Sequence, residues 1–301
     1  MTTIATAAAL RDLPPLLRDE PALTVALGTP SARLAITEVA RPISIAALTH
    51  LSDRSPLIVA CPTGTDAARL HDDLGHFLGR DECLLFPAWE TLPFERVSPA
   101  VETMGRRMEV LWRLTSADHQ PRVIVAGVRA LLQRLGPGTR TIAAIHVSAG
   151  GHIDADALTE QLSISGYRRE ELVEHRGEFA RRGAIIDIFP STADAPIRID
   201  LWGDDVDRLT QFSVNDQRSI ADLDEVRIFP AREVTPDERV RERALGLVTT
   251  ESWGREHWER LAEGAHFDGM ESWLPWLTDD DLLLTDLVDE RGKVVLVEPR
   301  R

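Results

Sequence analysis

Lysine is almost absent from this chain: of 34 Lys and Arg residues, only Lys293 is a lysine. That scarcity removes most lysine-dependent chemistry, including a Schiff base, a kinase strand lysine and the phosphate-gripping lysine of a P-loop. Cysteine is nearly as rare. Cys61 and Cys83 stand apart without a CxxC, so neither a disulfide framework nor a cysteine zinc site is supported. Both sit in apolar runs, PLIVACP and ECLLF, where buried inert thiols are expected. No apolar run reaches the roughly 18 residues of a membrane span. The start, MTTIATAAALRDL, lacks the basic region of a signal peptide, and a cytoplasmic protein with no membrane contact is the expectation. A net basic surface is missing too. Against the 34 cations stand 49 Asp and Glu, giving −15, which argues against a chain whose whole surface grips nucleic acid. The carboxylate excess is greatest in residues 211–301, as on a solvated helical surface.

What remains is an ordinary globular composition, 43% hydrophobic and 28% charged, in a chain of 301 residues that is long enough for two or three domains. The first 127 residues alternate strand and helix patterns, which predicts a parallel sheet. Continuous apolar runs at 57–61, 83–86 and 122–126 read as strands buried on both faces. A helix after Cys61 carries Ala67, Leu70, Leu74 and Phe77 at helical spacing, with Thr65 as its expected cap and Gly79 at its end. Beyond the breaker GPGTR the pattern turns to α+β. A helix is expected over 154–165, then strands at 183–189, 197–202 and 206–214, the last two joined at Gly203. A final apolar strand is expected at 294–297. Trp253, Trp258, Trp273 and Trp276 fall in one acidic stretch, where packing is favoured over base stacking.

The enzymatic candidates fail one by one. LGTPSARLAI, at 27–36, sits where an α/β domain would carry a phosphate loop, after the apolar run Val25 to Gly28. Aligned on GxxxxGK[ST], it has Ala32 for the second glycine, Arg33 for the lysine and Leu34 for the Mg²⁺-binding hydroxyl, and Pro30 removes an N–H from the cradle. The loop has the shape without the chemistry. Asp289-Glu290 and Glu298 have no upstream Mg²⁺ partner. His71 and His76 are five apart, not the four of a helical zinc pair. No GxSxG elbow occurs, and no metal or catalytic set is assigned.

The most informative polar segment is GYRREELVEHRGEFARRGAIIDIFP, at 166–190. Its arginines, Arg168, Arg169, Arg176, Arg181 and Arg182, are interleaved with glutamates and read either as a salt-bridged surface or as an interface rich in Arg, with Tyr167 and Phe179 expected exposed beside them. This segment, followed by APIRIDLWGDDVDRLTQFSVNDQRS, resembles the damage-recognition protein UvrB and the transcription-repair coupling factors. The shared pattern is Arg182-Gly183, then Asp187, Phe189 and Pro190, then Arg198, Asp200, Trp202, Asp204 and Asp205. FPAWETLPFERVSP, at 86–99, looks like the coupling factors, where UvrB instead carries a tyrosine-rich DNA-handling segment, and GAHFDGMESWLPWL, at 264–277, is similar to the coupling factors too.

The resemblance implies an α/β fold: a degenerate RecA-like domain from residues 1–127 and 211–301, split by a UvrA-binding α+β insert at 128–210. It implies a UvrA-recruiting adaptor in transcription-coupled nucleotide excision repair, silent as an enzyme and without a cofactor of its own. ATP, Mg²⁺, DNA and RNA polymerase would belong to the motor and other parts of a longer protein, of which this chain looks like an N-terminal piece. The family's UvrA contacts carry over to Arg168 or Arg169, Phe179 and Arg182. UvrB has Arg-x-Arg-Gly where this chain has Ala180, Arg181, Arg182 and Gly183, which makes Arg181 a further candidate. The weighed alternatives are a UvrB-like DNA-damage binder and an active P-loop NTPase or helicase. Arg33-Leu34 opposes the NTPase; the absent tyrosine segment and the charge of −15 oppose the damage binder. The purified chain is accordingly expected to turn over no ATP. In a phosphate-release assay it should match the background of its Arg33→Ala variant, and turnover abolished by that substitution would contradict the reading.

Overall fold

The computed structural model describes residues 9–92, 95–116 and 119–298. Most of the N-terminal stretch read for a signal peptide, Pro93 and Phe94 of the 86–99 motif, and Pro299 to Arg301 lie outside them. The chain divides into two units. The first comprises 1–88, 113–133 and 283–301, the second 89–112 and 134–282.

The first unit is built on a four-stranded parallel sheet. β1 (Leu57–Cys61), β2 (Cys83–Phe86) and β3 (Val123–Gly127) are continuous apolar runs, and β12 (Lys293–Leu296) comes from the far end of the chain. The order is β12-β1-β3-β2, with Leu57 in register with both Lys293 and Val123. Every residue of β1 and β3 is buried, as parallel strands require. α2 (Arg41–Leu51) and α3 (Gly64–Leu78) pack one face, through Ile45, Leu70 and Leu74. Thr63, not Thr65, caps α3: its hydroxyl oxygen accepts the Asp66 N–H at 3.1 Å. The turn after β3 crowds this start, because a Cβ on Gly127 would lie 3.0 Å from the Gly64 nitrogen. Burial pushes the Cys61 thiol up to about 11 and Cys83 to about 12, so neither is a nucleophile at neutral pH.

One expectation is overturned here. Val25 to Gly28 is not strand-like but the end of α1 (Pro21–Gly28), which starts on a proline and buries Leu23 and Ala26 at helical spacing. Residues 29–37 follow without regular structure; Gly28, Pro30 and Arg33 are exposed and Leu34 half-buried. The loop of P-loop sequence therefore does not follow a strand. Among the described residues no helix is long and apolar enough to cross a membrane.

The second unit takes in α4 (Val101–Thr115) up to Trp112 and begins again after α5 (Val128–Leu131). β4 (Ile145–Ser148) pairs with β11 (Glu225–Ile228). Between them α6 (Ala155–Ile164), capped by Asp154, leads into a six-stranded sheet. Its strands are β5 (Arg168–Arg169), β6 (Glu178–Arg182), β7 (Ile185–Ile188), β8 (Ile197–Trp202), β9 (Asp205–Phe212) and β10 (Ser219–Asp222), ordered β10-β9-β8-β7-β6-β5. All pairs are antiparallel except β5 with β6. Leu158 and Leu162 of α6 cover the inner face with Phe179, Ile186, Ile199 and Leu209. The Gly203 turn has φ +65°, within the reach of glycine, and sets Trp202 opposite Asp205. Further on, α7 (Glu238–Thr250), α8 (Arg255–Ala262) and α9 (Leu274–Leu277) enclose Trp258, which is fully buried and edge-on to Trp253 and Trp273. Trp273 and Trp276 pack half-buried against the same core and Trp253 lies 37% exposed over it, so the cluster serves packing, as expected.

Beneath these elements lie buried charges. Arg107 and Glu233 are completely buried and share two hydrogen bonds, 2.6 and 3.0 Å, and the Trp89 indole N–H donates to the same carboxylate at 2.8 Å. Next in the chain, Arg232 donates to Glu271 and to Ser98, both at 2.9 Å, and the Ser98 hydroxyl accepts the Gly269 N–H. The motifs at 86–99 and 264–277 thus meet on Arg232-Glu233. Removing one partner of a dry ion pair strands the other. Glu233→Ala should cost about 3–5 kcal/mol, whereas the double replacement Arg107→Met/Glu233→Leu should cost far less. Urea unfolding of both variants checks this, and equal losses would mean that the charge itself stabilises the fold.

Candidate partner-binding face

The arginine-rich segment folds into the open edge and outer face of the six-stranded sheet. Because successive strand residues alternate in direction, registered neighbours share a face. Phe179 is paired with Ile188 and lies in the inner core. Ala180 and Arg182 therefore lie on the outer face, with Asp187 and Ile185 of β7, Arg198 and Asp200 of β8, and Thr210 and Arg208 of β9.

Asp187 organises this face. Its carboxylate is buried, at 1% side-chain exposure. Arg198 grips it in a fork, Nε to Oδ1 at 2.7 Å and Nη2 to Oδ2 at 3.0 Å, and Arg182 Nη2 donates to Oδ2 from the other side. The bond to Asp187 raises the affinity of Arg198 for its proton further. The Arg198 guanidinium lies 4.7 Å from the centre of the Phe212 ring and donates to the Gln217 carbonyl, so it is held on several sides. Arg182 is held by Asp187 while its side chain stays 48% exposed. A guanidinium anchored at one end and open at the other is prepared for a second acceptor.

The remaining candidates separate by face. Arg168, paired with Glu178, shares the outer face; its guanidinium is 3.6 Å from that buried carboxylate and 66% exposed. Arg169, paired with Phe179, projects from the other side of the edge strand. Arg181 lies opposite Ile186 on the inner side and bonds to Asp156 of α6. Adjacent Arg181 and Arg182 thus serve different faces. The expected exposure of Phe179 and Tyr167 is wrong: they are 1% and 4% exposed. The Tyr167 hydroxyl donates to the Phe229 carbonyl at 2.8 Å, and Phe179 fills the core under α6. Both aromatics support the surface from beneath. Arg198, like Arg208, is an outer-face arginine that sequence reasoning left out of the site. The alternation in IRIDLW, apolar at Ile197, Ile199 and Leu201, was the available signal.

Comparison with known proteins shows what the chain is similar to. Residues 145–234 match the UvrB interaction domain family. The chain is 37% identical over 267 residues to a transcription-repair-coupling factor of Mycobacterium tuberculosis, covering 83% of this chain and 22% of that protein. It is 31% identical over 233 residues to the transcription-repair-coupling factor of Escherichia coli, covering 75% and 20%. With UvrABC system protein B of Fervidobacterium nodosum it shares 26% identity over 244 residues, 76% of this chain and 36% of the other. The chain thus spans about a fifth of the length of the coupling factors it matches.

The shared carboxylate makes the two arginines unequal. Arg182→Ala leaves Asp187 with both Arg198 bonds and should change stability by less than about 1 kcal/mol, as for other half-exposed pairs. Asp187→Ala leaves two arginines without their acceptor and should cost about 2 kcal/mol or more. Thermal and urea unfolding distinguish the cases, and an Arg182→Ala loss as large as that of Asp187→Ala would mean that Arg182 is a structural residue.

Proposed function

We propose that this chain, whose residues 145–234 belong to the UvrB interaction domain family and whose flanks are kin to transcription-repair-coupling factors, recruits UvrA. In this reading it is the UvrB-homology region of a coupling factor, linking transcription to nucleotide excision repair. The parallel sheet closed by a strand from the far end of the chain, with an antiparallel sheet formed between, supports a RecA-like domain interrupted by the UvrA-binding insert. Contacts with RNA polymerase, DNA and ATP would fall to the remainder of such a protein.

The observation that carries the reading is Arg182: exposed, pre-oriented by buried Asp187, and inside the matched segment. The recruiting module is itself catalytically silent. Support for that lies in Pro30, Ala32, Arg33 and Leu34, which offer no lysine for the phosphates and no hydroxyl for Mg²⁺, and in the helix that replaces the strand before them. A UvrB-like role in gripping damaged DNA is disfavoured by the net charge of −15.

Calorimetric titration of UvrA into the whole chain tests the proposal. Loss of an interfacial arginine whose partner carboxylate is left buried costs about 2–5 kcal/mol, so Arg182→Ala should weaken binding by roughly 30-fold or more. Arg168→Ala should follow, and Arg169→Ala, from the other face, should do less. No measurable binding by the wild-type chain, or an Arg182→Ala affinity within threefold of it, would set the reading aside.

A further inference from the structure

The outer face continues beyond Arg182. On β8, Ile197, Ile199 and Leu201 are buried, and Arg198, Asp200 and Trp202 alternate with them toward the outer side. Trp202 ends the strand at 81% exposure, the most exposed tryptophan among the described residues. A tryptophan so placed leaves a large, rigid apolar ring in water, and such rings are the commonest anchors of protein interfaces.

Its surroundings fix the sign of what it meets. Asp205, its registered neighbour, meets His152 at 3.3 Å; Asp200, two residues before it, lies opposite Arg208; and Asp204 lies in the turn beside it. Past that turn, on the side of Arg181 and α6 and not on the face of Trp202, runs an open groove of about 380 Å³, lined by Asp154, Asp156, Arg181, Gly183, Ala184 and Asp204 among others. The Ala157 and Asp156 N–H groups hold the Asp154 carboxyl below its ordinary range, so it is ionised at neutral pH. Arg181, the cation in the lining, is already bonded to Asp156. Around Trp202 itself Asp200, Asp204 and Asp205 outnumber Arg208, the arginine in register with Asp200, and an aromatic ring among surplus carboxylates receives an ammonium or guanidinium. Access is open: a Cβ on Gly183 or Gly203 would meet nothing within 4 Å.

The position joins this patch to Arg182. Arg182 lies opposite Ile185, and Ile185 opposite Asp200, which is two strand spacings, about 10 Å; Trp202 lies two residues, about 7 Å, further on. One interface of ordinary size, about 800 Å² per partner, covers both. We propose that Trp202 is a second anchor of the UvrA-binding surface and receives an arginine or lysine side chain of UvrA, with Asp204 and its neighbours supplying the countercharge. The proposal rests on the reading of this face as the UvrA site. UvrA would then meet two opposite signs, presenting an acceptor to Arg182 and a cation to Trp202.

UvrA is titrated into the whole wild-type chain and into Trp202→Ala, Trp202→Phe, Asp204→Asn and, as a control on the far edge strand, Ile220→Ala. Melting curves are taken first; Trp202, being exposed, should leave them unchanged. Trp202→Ala should weaken binding tenfold or more, Trp202→Phe should retain most of the affinity, and Asp204→Asn should flatten its salt dependence. Ile220→Ala should bind as wild type does. If wild type binds UvrA and Trp202→Ala lies within twofold of it, this inference fails and the UvrA reading stands. If wild type does not bind, both fail. Self-association of the chain that Trp202→Ala abolishes, with UvrA binding unaffected, would assign the surface to a second copy and overturn the proposal.

Discussion

A buried carboxylate in a sheet must be answered by cations within reach of the same pleat, and in this protein Asp187 sets that condition. Its registered neighbour on β8 is Arg198, and its diagonal neighbour on β6 is Arg182. Neither arginine is free to choose a direction once Asp187 is dry. Side chains this long lose much rotamer freedom when they bind. Here part of that loss is already met in the folded chain, so the exposed guanidinium waits in position. The same buried carboxylate thus ties two strands together and orients the exposed arginine above them.

The two units solve the burial problem differently. In the parallel unit, β1 and β3 are wholly apolar and fully covered. In the second unit lie all the buried charged residues among those described: Arg107, Glu178, Asp187, Glu233 and Glu271. Each carboxylate is met by a guanidinium or by backbone N–H groups; Glu178, for example, accepts from the amides of Glu174 and His175. Paired charge positions irregular loops that a purely apolar core would leave to slide. It does so at little net gain in stability, because desolvation offsets most of the attraction.

The continuous apolar strand LIVAC and the alternating strand IRIDLW were legible at once, because burial on both faces or on one imposes a simple pattern. The Gly203 hairpin and the helix after Asp154 were equally plain. Val25 to Gly28 misled because four apolar residues have no period of their own; Pro21 at the helix start and the Leu23–Ala26 spacing decided for helix. Phe179 and Tyr167 misled for another reason. Arginines and glutamates beside them suggested a wet strand, but alternation buries every second residue of such a strand whatever the neighbours' charge. The arginines could be counted in the sequence, but not assigned to faces. That assignment depends on register, which is fixed by cross-strand pairs such as Asp187 with Arg198 and cannot be read from either strand alone.

The sheet topology also orders the chain's assembly. β6 to β9 are joined by short connections, so their pairings are local and close quickly. β1 instead receives β12 from near the opposite end of the sequence. As the chain leaves the ribosome, the antiparallel sheet with its arginine face has all its strands available well before β12 emerges. Until then β1 presents an unpaired edge along Leu57, Ile58, Val59 and Ala60, a wholly apolar strand. The surface read as a docking face is thus complete early in synthesis, and the hazard of edge-to-edge aggregation falls on the unit that finishes last.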